Sequence, residues 1–296
     1  MNRLKTAVPW LASLAIVGWV GASADLDAVA EAVSRADLGP YVVLSVLWAV
    51  VNLLIEASFF LCSFRWLAGV GTFREVLDIR AGAYVLTLVS SAAGFGAMVM
   101  YMKRVHGTPL RRGIGIMMVE SFCELGSMGF LILLAVAMKP VDGTQGLTGI
   151  GAGLVAFFAA GVLVTLASRR FRTKTSLFSI FEELSVGQYG ALFGIKSLQN
   201  VCWGLWVAFT LPLFGVHPPH VVSVGLSQVA HLMRALPISA FGIGVDQLTF
   251  PGLFAPWEQT PGSLLAFSVV FTAAVLAARA CLGLLFLRPA LRRFRS

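Results

Sequence analysis

An all-α polytopic membrane fold follows from three observations on this 296-residue chain. It is 58% hydrophobic and only 12% charged, against about 25% charge in a soluble domain, and its mean hydropathy is +0.86. Several apolar runs reach the roughly 20 residues needed to cross a bilayer as a helix. The runs are continuous rather than alternating, which argues against a β-barrel.

The net charge of +8 is not a nucleic-acid signature. The basic residues gather at the ends of apolar runs, where the positive-inside rule places them on the cytoplasmic side. Cys62, Cys123, Cys202 and Cys281 all lie in apolar runs with no metal-ligand spacing. They read as small buried hydrophobes, with no disulfide, metal or cofactor.

The spans follow in order. Arg3 and Lys5 precede an apolar run from Ala7 to about Gly21, a first span running in to out. Ala22-Ser23-Ala24 imitates a signal-peptide cleavage site, so cleavage stays open, and the repeat described below favours a retained helix. Asp25 to Asp37 reads as an acidic outer loop. Tyr41 to about Phe64 is the second span, with Asn52 and Glu56 one turn apart on one face. Ile114 to Met138, Leu147 to Ser168, Gly190 to Phe214 and Ser263 to Leu287 are the others. Lys196, Gln199 and Asn200 sit inside the fifth. Phe178 to Val186 reads as a cytoplasmic connector.

Two apolar stretches do not fit as spans. Ala81 to Met102 is bounded by Arg80 on one side and by Lys103, Arg104, Arg111 and Arg112 on the other, so both ends carry the cytoplasmic mark. Its middle, Ser90 to Gly96, is rich in small residues. Val221 to Leu253 contains Leu236-Pro237-Ile238-Ser239-Ala240-Phe241-Gly242-Ile243-Gly244. Pro237 disfavours helix before it, and Gly242 and Gly244 cost about 1 kcal/mol each in a helix interior. If this second stretch crossed fully, the last span would end outside, against Arg288, Arg292, Arg293 and Arg295. Both stretches are therefore expected to be re-entrant hairpins, over about 76–103 and 221–254. Such broken backbone is tolerated at membrane depth only where protein or a wet cavity covers it. The alternative is an ordinary loop between helices.

The two stretches also match. Ser91 and Ser239 stand 148 residues apart, as do Ala92 and Ala240, Gly94 and Gly242, and Gly96 and Gly244. The same offset relates Asn52 to Asn200. Halves of about 1–148 and 149–296 follow, each reading span, span, hairpin, span. Three crossings per half make the second copy inverted, with both termini cytoplasmic. Inverted repeats of this kind hold substrate between the copies near mid-depth.

At these motifs the chain resembles the lysylphosphatidylglycerol synthase-type transmembrane family, a flippase-like module found alone or fused to a lipid aminoacylase. The family's late motif is a leucine-proline, a small Gly-rich run and Gly-Val-Arg-Glu; here it reads Leu236-Pro237 through Gly244-Val245-Asp246-Gln247. Gln247 is not acidic and Asp246 stands one place early. The earlier motif is similar to Ser91 to Gly96 followed by Lys103-Arg104-Val105-His106-Gly107, without the family's proline. Glu120 with Glu124 is similar to the family's glutamate with an acidic partner one turn on. The resemblance implies lipid translocation in a bacterial or archaeal cell membrane. With no aminoacyltransferase domain after Ser296, lipid synthesis is not expected.

Candidate site residues follow from burial cost. An ionisable group at mid-membrane costs about 2.5–3.5 kcal/mol on insertion scales, so such groups are paired, wetted or functional. Glu120 and Glu124 read either as a cation or proton site or as structural partners of Arg80, Arg104 or Lys196. Arg234 reads either as a lipid-phosphate ligand, helped by the N-terminus of a helix beginning after Gly244, or as the counter-ion of Asp246 or a glutamate. His231 lies one turn before it and reads as a titrating group or a buried histidine. Asn52 and Asn200 read as interhelical hydrogen-bond partners beside the breaks. Arg104 and Asp246 complete the substrate-binding set, and Ser91, Gly94, Gly96, Pro237, Ser239, Gly242 and Gly244 mark the hairpin tips. The expected partners are membrane lipids with an anionic or glycosylated headgroup, with a homo-oligomer open. An ion-coupled small-solute transporter on the same scaffold is the alternative. No Walker sequence is present. An intramembrane enzyme lacks a Ser/His/Asp set or a metal cluster.

Overall fold

The computed structural model describes residues 18–19, 22, 25–88, 90–138, 145–168, 179–235 and 242–294. Among them the fold is all-helical. The α-helices are α1 (Leu26–Arg35), α2 (Leu38–Ala68), α3 (Phe73–Thr87), α4 (Ser91–His106), α5 (Leu110–Met138), α6 (Gln145–Ser168), α7 (Ser179–Glu183), α8 (Val186–Thr210), α9 (His220–Ala235), α10 (Val245–Phe254) and α11 (Ser263–Arg293). Helices α2, α5 and α11 are long and apolar enough to cross a membrane. Helices α6 and α8 run 24 and 25 residues at the places expected for spans. The run from Ala7 to Gly21 lies outside the described residues apart from Gly18 and Trp19.

Asp25 to Asp37 is a helix rather than a loop. Asp25 caps α1 by accepting from the Asp27 and Ala28 amides, which satisfies donors that a helix start leaves open. Its apolar face, including Val29, Ala32 and Val33, packs into the core beside α11.

Helices α3 and α4 fold back on one another. Thr72 and Glu75 form a reciprocal capping box at the start of α3, and Ser90 caps α4 through the Ala93 amide. One helix ends at Thr87 and the next begins at Ser91, so the break comes before the expected tip. Ser91, Gly94 and Gly96 are already inside α4. At the open end of the pair, Glu75 in the first turn of α3 accepts hydrogen bonds from Tyr101 and meets His106 Nε2 at 2.6 Å. With 15 and 16 residues at 1.5 Å each, neither helix alone covers about 30 Å of hydrocarbon.

Helices α9 and α10 repeat this arrangement. Residues flanking the pair meet at its base in an isolated bridge, Val216 with Glu258. At its tip Gly242 and Gly244 adopt φ of 82° and 86°. Gly242 is required twice over, since a Cβ there would also stand 2.8 Å from Arg234 Cγ and 2.9 Å from Asp246 Oδ2. Pro237 and Ser239 lie outside the described residues.

Two apolar cores surround the two pairs. The first joins Phe59, Phe60 and Phe64 of α2 to α3, α4, the first half of α5, the start of α8 and Ala290 at the end of α11. The second joins Tyr41 and Trp48 of α2 to α1, the second half of α8, α9, α10 and Phe267, Phe271 and Val275 of α11. Helices α2, α8 and α11 run through both cores, and their polar residues fall between the two. Where lipid is as apolar as the side chains, close packing rather than water exclusion holds helices together. Gly225 of α9 meets α5 so closely that a Cβ there would lie 2.2 Å from Ala135 Cβ.

Cys62, Cys123, Cys202 and Cys281 are free thiols; Cys123 is buried, and Cys281 is exposed on α11 rather than buried as expected.

Candidate functional site

The layer between the cores is a belt of charged and amide side chains. Its first part centres on Glu56 of α2. Glu56 Oε2 accepts from Arg80 Nε at 2.6 Å and from Tyr84 OH at 2.7 Å. The Arg80 guanidinium is also held over the Phe60 and Tyr84 rings, at 5.3 and 5.2 Å. Arg80 is thus buried, at 6% exposure, and paired within the fold rather than exposed at the end of an apolar run.

The second part centres on Lys196 of α8. Its ammonium lies 2.5 Å from Glu120 Oε1 and 2.6 Å from Glu124 Oε2, and the lysine side chain is 1% exposed. It also donates to Gln199 Oε1 at 3.0 Å and sits 5.0 Å from the Phe59 ring centroid. Gln199 joins the two parts, because its amide donates to Asn52 Oδ1 at 3.1 Å and to Glu56 Oε1 at 3.2 Å. His231 stacks on Trp203 at 4.4 Å and its Nε2 lies 3.9 Å from Glu124.

The third part closes the α9–α10 tip. Arg234 Nη1 lies 3.0 Å from Asp246 Oδ2, and Asp246 also accepts from Thr272 of α11 at 2.7 Å. Gln247 accepts the Gly244 amide at 2.6 Å and donates to Ser268 O and Thr272 Oγ1. At the start of α10 the Gly244 amide is therefore met by a side chain and the Asp246 amide by the Gly242 carbonyl. The amide at position 247 can do both jobs at once, which a carboxylate, having no N–H, could not.

Of the residues singled out from sequence, Glu120, Glu124, His231, Asn52 and Asn200 come together in the belt, and Arg234 and Asp246 pair beside it. The two asparagines do not touch each other. The Asn200 side chain donates to Ser127 at 2.6 Å, and its backbone carbonyl accepts from Gln228 at 3.0 Å, the interhelical role expected of both asparagines. Arg104 is exposed near the end of α4, away from these groups. Lys196, Glu56 and Gln199 were visible as polar residues inside spans, and their central position is the finding. Arg279 of α11, a single arginine in an apolar run, was not singled out at all.

The arrangement has no nucleophile–base pair. Among the described residues there is no group of His, Cys, Asp and Glu that could hold a metal ion. It does join helices through buried ion pairs.

Comparison with curated proteins and with solved structures finds no match to this chain. A family model described as the lysylphosphatidylglycerol synthase TM region matches residues 10–283. With nearly the whole chain covered, the protein belongs to the lysylphosphatidylglycerol synthase transmembrane-region family.

Proposed function

We propose that this protein moves a polar lipid headgroup between the leaflets of a cell membrane, without chemistry of its own. In this reading six spans and two opposed re-entrant hairpins form an inverted-topology repeat, with halves near 1–148 and 149–296 and both termini cytoplasmic. The setting is a bacterial or archaeal inner membrane. Family membership supports a role with membrane lipids. The antiparallel pairs α3–α4 and α9–α10, each too short to cross as single helices, support the hairpins. The contact of Arg293 near the end of α11 with Asp78 near the base of the first pair (3.3 Å) supports their sharing one side.

The observation that carries the reading is the belt itself. Its bonds join the first half to the second: Glu120 and Glu124 to Lys196, and Asn52 and Glu56 to Gln199. Buried ion pairs are rarely the most stable filling of a core, so a belt confined to the layer between two apolar cores suggests a part that opens. Rocking of one core against the other would exchange these partners and admit a headgroup while the acyl chains stay in the bilayer. A proton- or ion-coupled solute carrier is the second reading, favoured by one specific feature. Two carboxylates share the single charge of Lys196.

Reconstitution into vesicles carrying headgroup-labelled lipids tests this. Wild-type protein is expected to expose inner-leaflet label to an outer quencher, and Glu120→Gln to slow exposure while the protein stays folded. Uptake of a solute with no lipid movement across a panel of headgroups would replace the lipid reading with the solute one.

A further inference from the structure

Unmet hydrogen-bonding groups gather where α5, α8 and α9 meet. Glu120, Glu124 and Ser127 share one face of α5, and Lys196, Asn200 and Trp203 share one face of α8, at the same helical spacing. Gln228 and His231 stand one turn apart on α9. Contacts tie the three faces together: Lys196 to Glu120 and Glu124, Asn200 to Ser127, Gln228 to the Asn200 carbonyl, and His231 to Trp203 and Glu124.

Three buried oxygens of this seam accept no hydrogen bond among the described residues: Glu124 Oε2, Asn200 Oδ1 and Gln228 Oε1. Asn200 and Gln228 are both at 0% exposure. The way each amide faces is fixed by its bonds. Ser127 gives its one proton to the Glu124 backbone carbonyl at 2.9 Å. Toward Asn200 it can only accept, so the Asn200 amide must face it with nitrogen. Gln228 likewise directs its nitrogen at two backbone carbonyls, those of Asn200 and Val224, each at 3.0 Å. Both side-chain oxygens are left over, and a buried acceptor left unmet is costly.

Charge decides the kind of partner. Lys196 donates to Glu120 and to Gln199, and its ammonium lies 2.6 Å from Glu124 Oε2 without an aligned hydrogen bond. Two carboxylates therefore share one ammonium, a local excess of one negative charge. His231 does not offset it, because an imidazolium carries N–H on both ring nitrogens and Nδ1 here has no acceptor. Arg279, which balances the buried carboxylates as a set, lies against α2 and α3 beside Trp48, Asn52 and Tyr84. A water molecule would meet the oxygens and leave the charge. A proton on Glu124 would offset the charge and serve at most one amide oxygen. A divalent ion would overshoot.

We propose that Glu124, Asn200 and Gln228 form a sodium-binding site, with the carboxylate supplying the charge and the two amide oxygens the neutral ligands. Hard cations take oxygen ligands of these kinds. Dehydrated sodium is smaller than a water molecule, and potassium is about as large as one. Glu124 and His231, with side chains 16% and 21% exposed, mark the side by which the ion enters. The inference goes beyond the lipid-moving function and does not need it, since the ion joins α5 to α8 and α9 whatever the protein carries.

Binding of radiolabelled sodium to the detergent-purified protein provides the test, beside thermal unfolding in sodium, potassium or choline chloride at equal ionic strength. Wild type should bind sodium saturably. Its unfolding midpoint should rise by roughly 5–10 °C once sodium reaches about 100 times the dissociation constant, with a smaller rise in potassium and none in choline. Gln228→Met keeps the volume and removes the oxygen, and Glu124→Gln keeps the shape and removes the charge; each should weaken sodium binding about tenfold or more. Gln228→Glu keeps an oxygen and adds charge, and should bind more tightly, which a water site would not. Glu31→Gln, at an exposed carboxylate on α1, should bind as wild type does. Absence of saturable sodium binding by the wild type overturns the proposal, as does a potassium or choline response equal to that of sodium. Wild-type affinity in both Gln228→Met and Glu124→Gln overturns it too. Should Gln228→Met fail to fold, Gln228→Glu decides, and binding weaker than wild type refutes the assignment. Sodium binding without lipid movement would refute the lipid-moving function alone, and lipid movement without sodium binding would refute the site alone.

Discussion

Replacing Lys196 with methionine tests the belt most directly. The lysine side chain is 1% exposed and faces carboxylate oxygens at 2.5 and 2.6 Å. Methionine fills a similar volume, so the perturbation is the charge. Removing one partner of a buried pair costs about 3–5 kcal/mol, because the other charge stays buried without compensation. At about 2–4 °C per kcal/mol for a chain of this size class, the midpoint of thermal unfolding should fall by roughly 6–20 °C. Glu120→Gln should cost less than about 1 kcal/mol, since the lysine keeps Glu124 at 2.6 Å and one charge then meets one charge. The triple variant Lys196→Met, Glu120→Gln, Glu124→Gln should recover most of the loss, because neutral replacement of a whole buried cluster is often nearly neutral in stability. The assay is thermal unfolding of the four proteins in one nanodisc composition. A midpoint for Lys196→Met within about 1 °C of wild type, or a triple variant less stable than the single, would refute the reasoning.

Two further perturbations probe the fold around the belt. Gly225→Leu pushes a side chain into Ala135, where even a Cβ would stand 2.2 Å away; overpacking should cost about 1–3 kcal/mol, and Ala135→Gly should return part of it, measured as a double-mutant cycle in thermal unfolding. Glu75 stands at the base of the α3–α4 pair, just before the segment 76–103. Burial raises the pKa of its carboxyl group, but hydrogen bonds from Tyr101, the Thr72 amide and His106 outweigh this and hold it below the usual carboxylate value. The stability Glu75 contributes is therefore present above the unfolded carboxylate pKa, about 4.3, and is lost as pH falls through the lower folded value. Glu75→Gln should cost about 1–2 kcal/mol at pH 7, with the gap from wild type closing on acidification below pH 4; a constant gap across that range would show that Glu75 is not held as the carboxylate.

The positions of the long helices were legible because length and hydropathy decide them. The expected span from Tyr41 to Phe64 lies within α2, and Ile114 to Met138 within α5. The broken stretches were legible for a different reason, since Gly and Pro remove helix options at once. The exact place of the first break was not. By sequence Ser90 belongs to the small-residue middle, yet its side chain caps the Ala93 amide and starts the helix early. Gly94 looked like a tip residue because Gly weakens a helix. In the structure it is helical and lets α4 approach Thr87, whose Cγ2 would stand 2.8 Å from a Cβ there. A glycine kept for close packing and one kept for a turn are the same letter, and only φ separates them. Gly242 at 82° is of the second kind.

The site was half legible for a related reason. Polar residues inside spans are conspicuous, so Asn52, Glu120, Glu124, Asn200, His231 and Arg234 were found. Which of them touch was set by how the helices cross, which no spacing along one helix reports. Arg80 and Arg279 show the limit. Counting positive charge at the ends of apolar runs treats an arginine as a boundary whenever the run stops near it, and Arg80 met that description. In the fold, α3 continues past it on both sides, from Phe73 to Thr87, and Glu56 from the neighbouring helix supplies its counter-charge. Arg279 never interrupted a run, so the same rule passed over it. The two arginines differ in whether a carboxylate on another helix reaches them. That difference makes Arg80 part of a direct ion pair, while Arg279 forms none among the described residues.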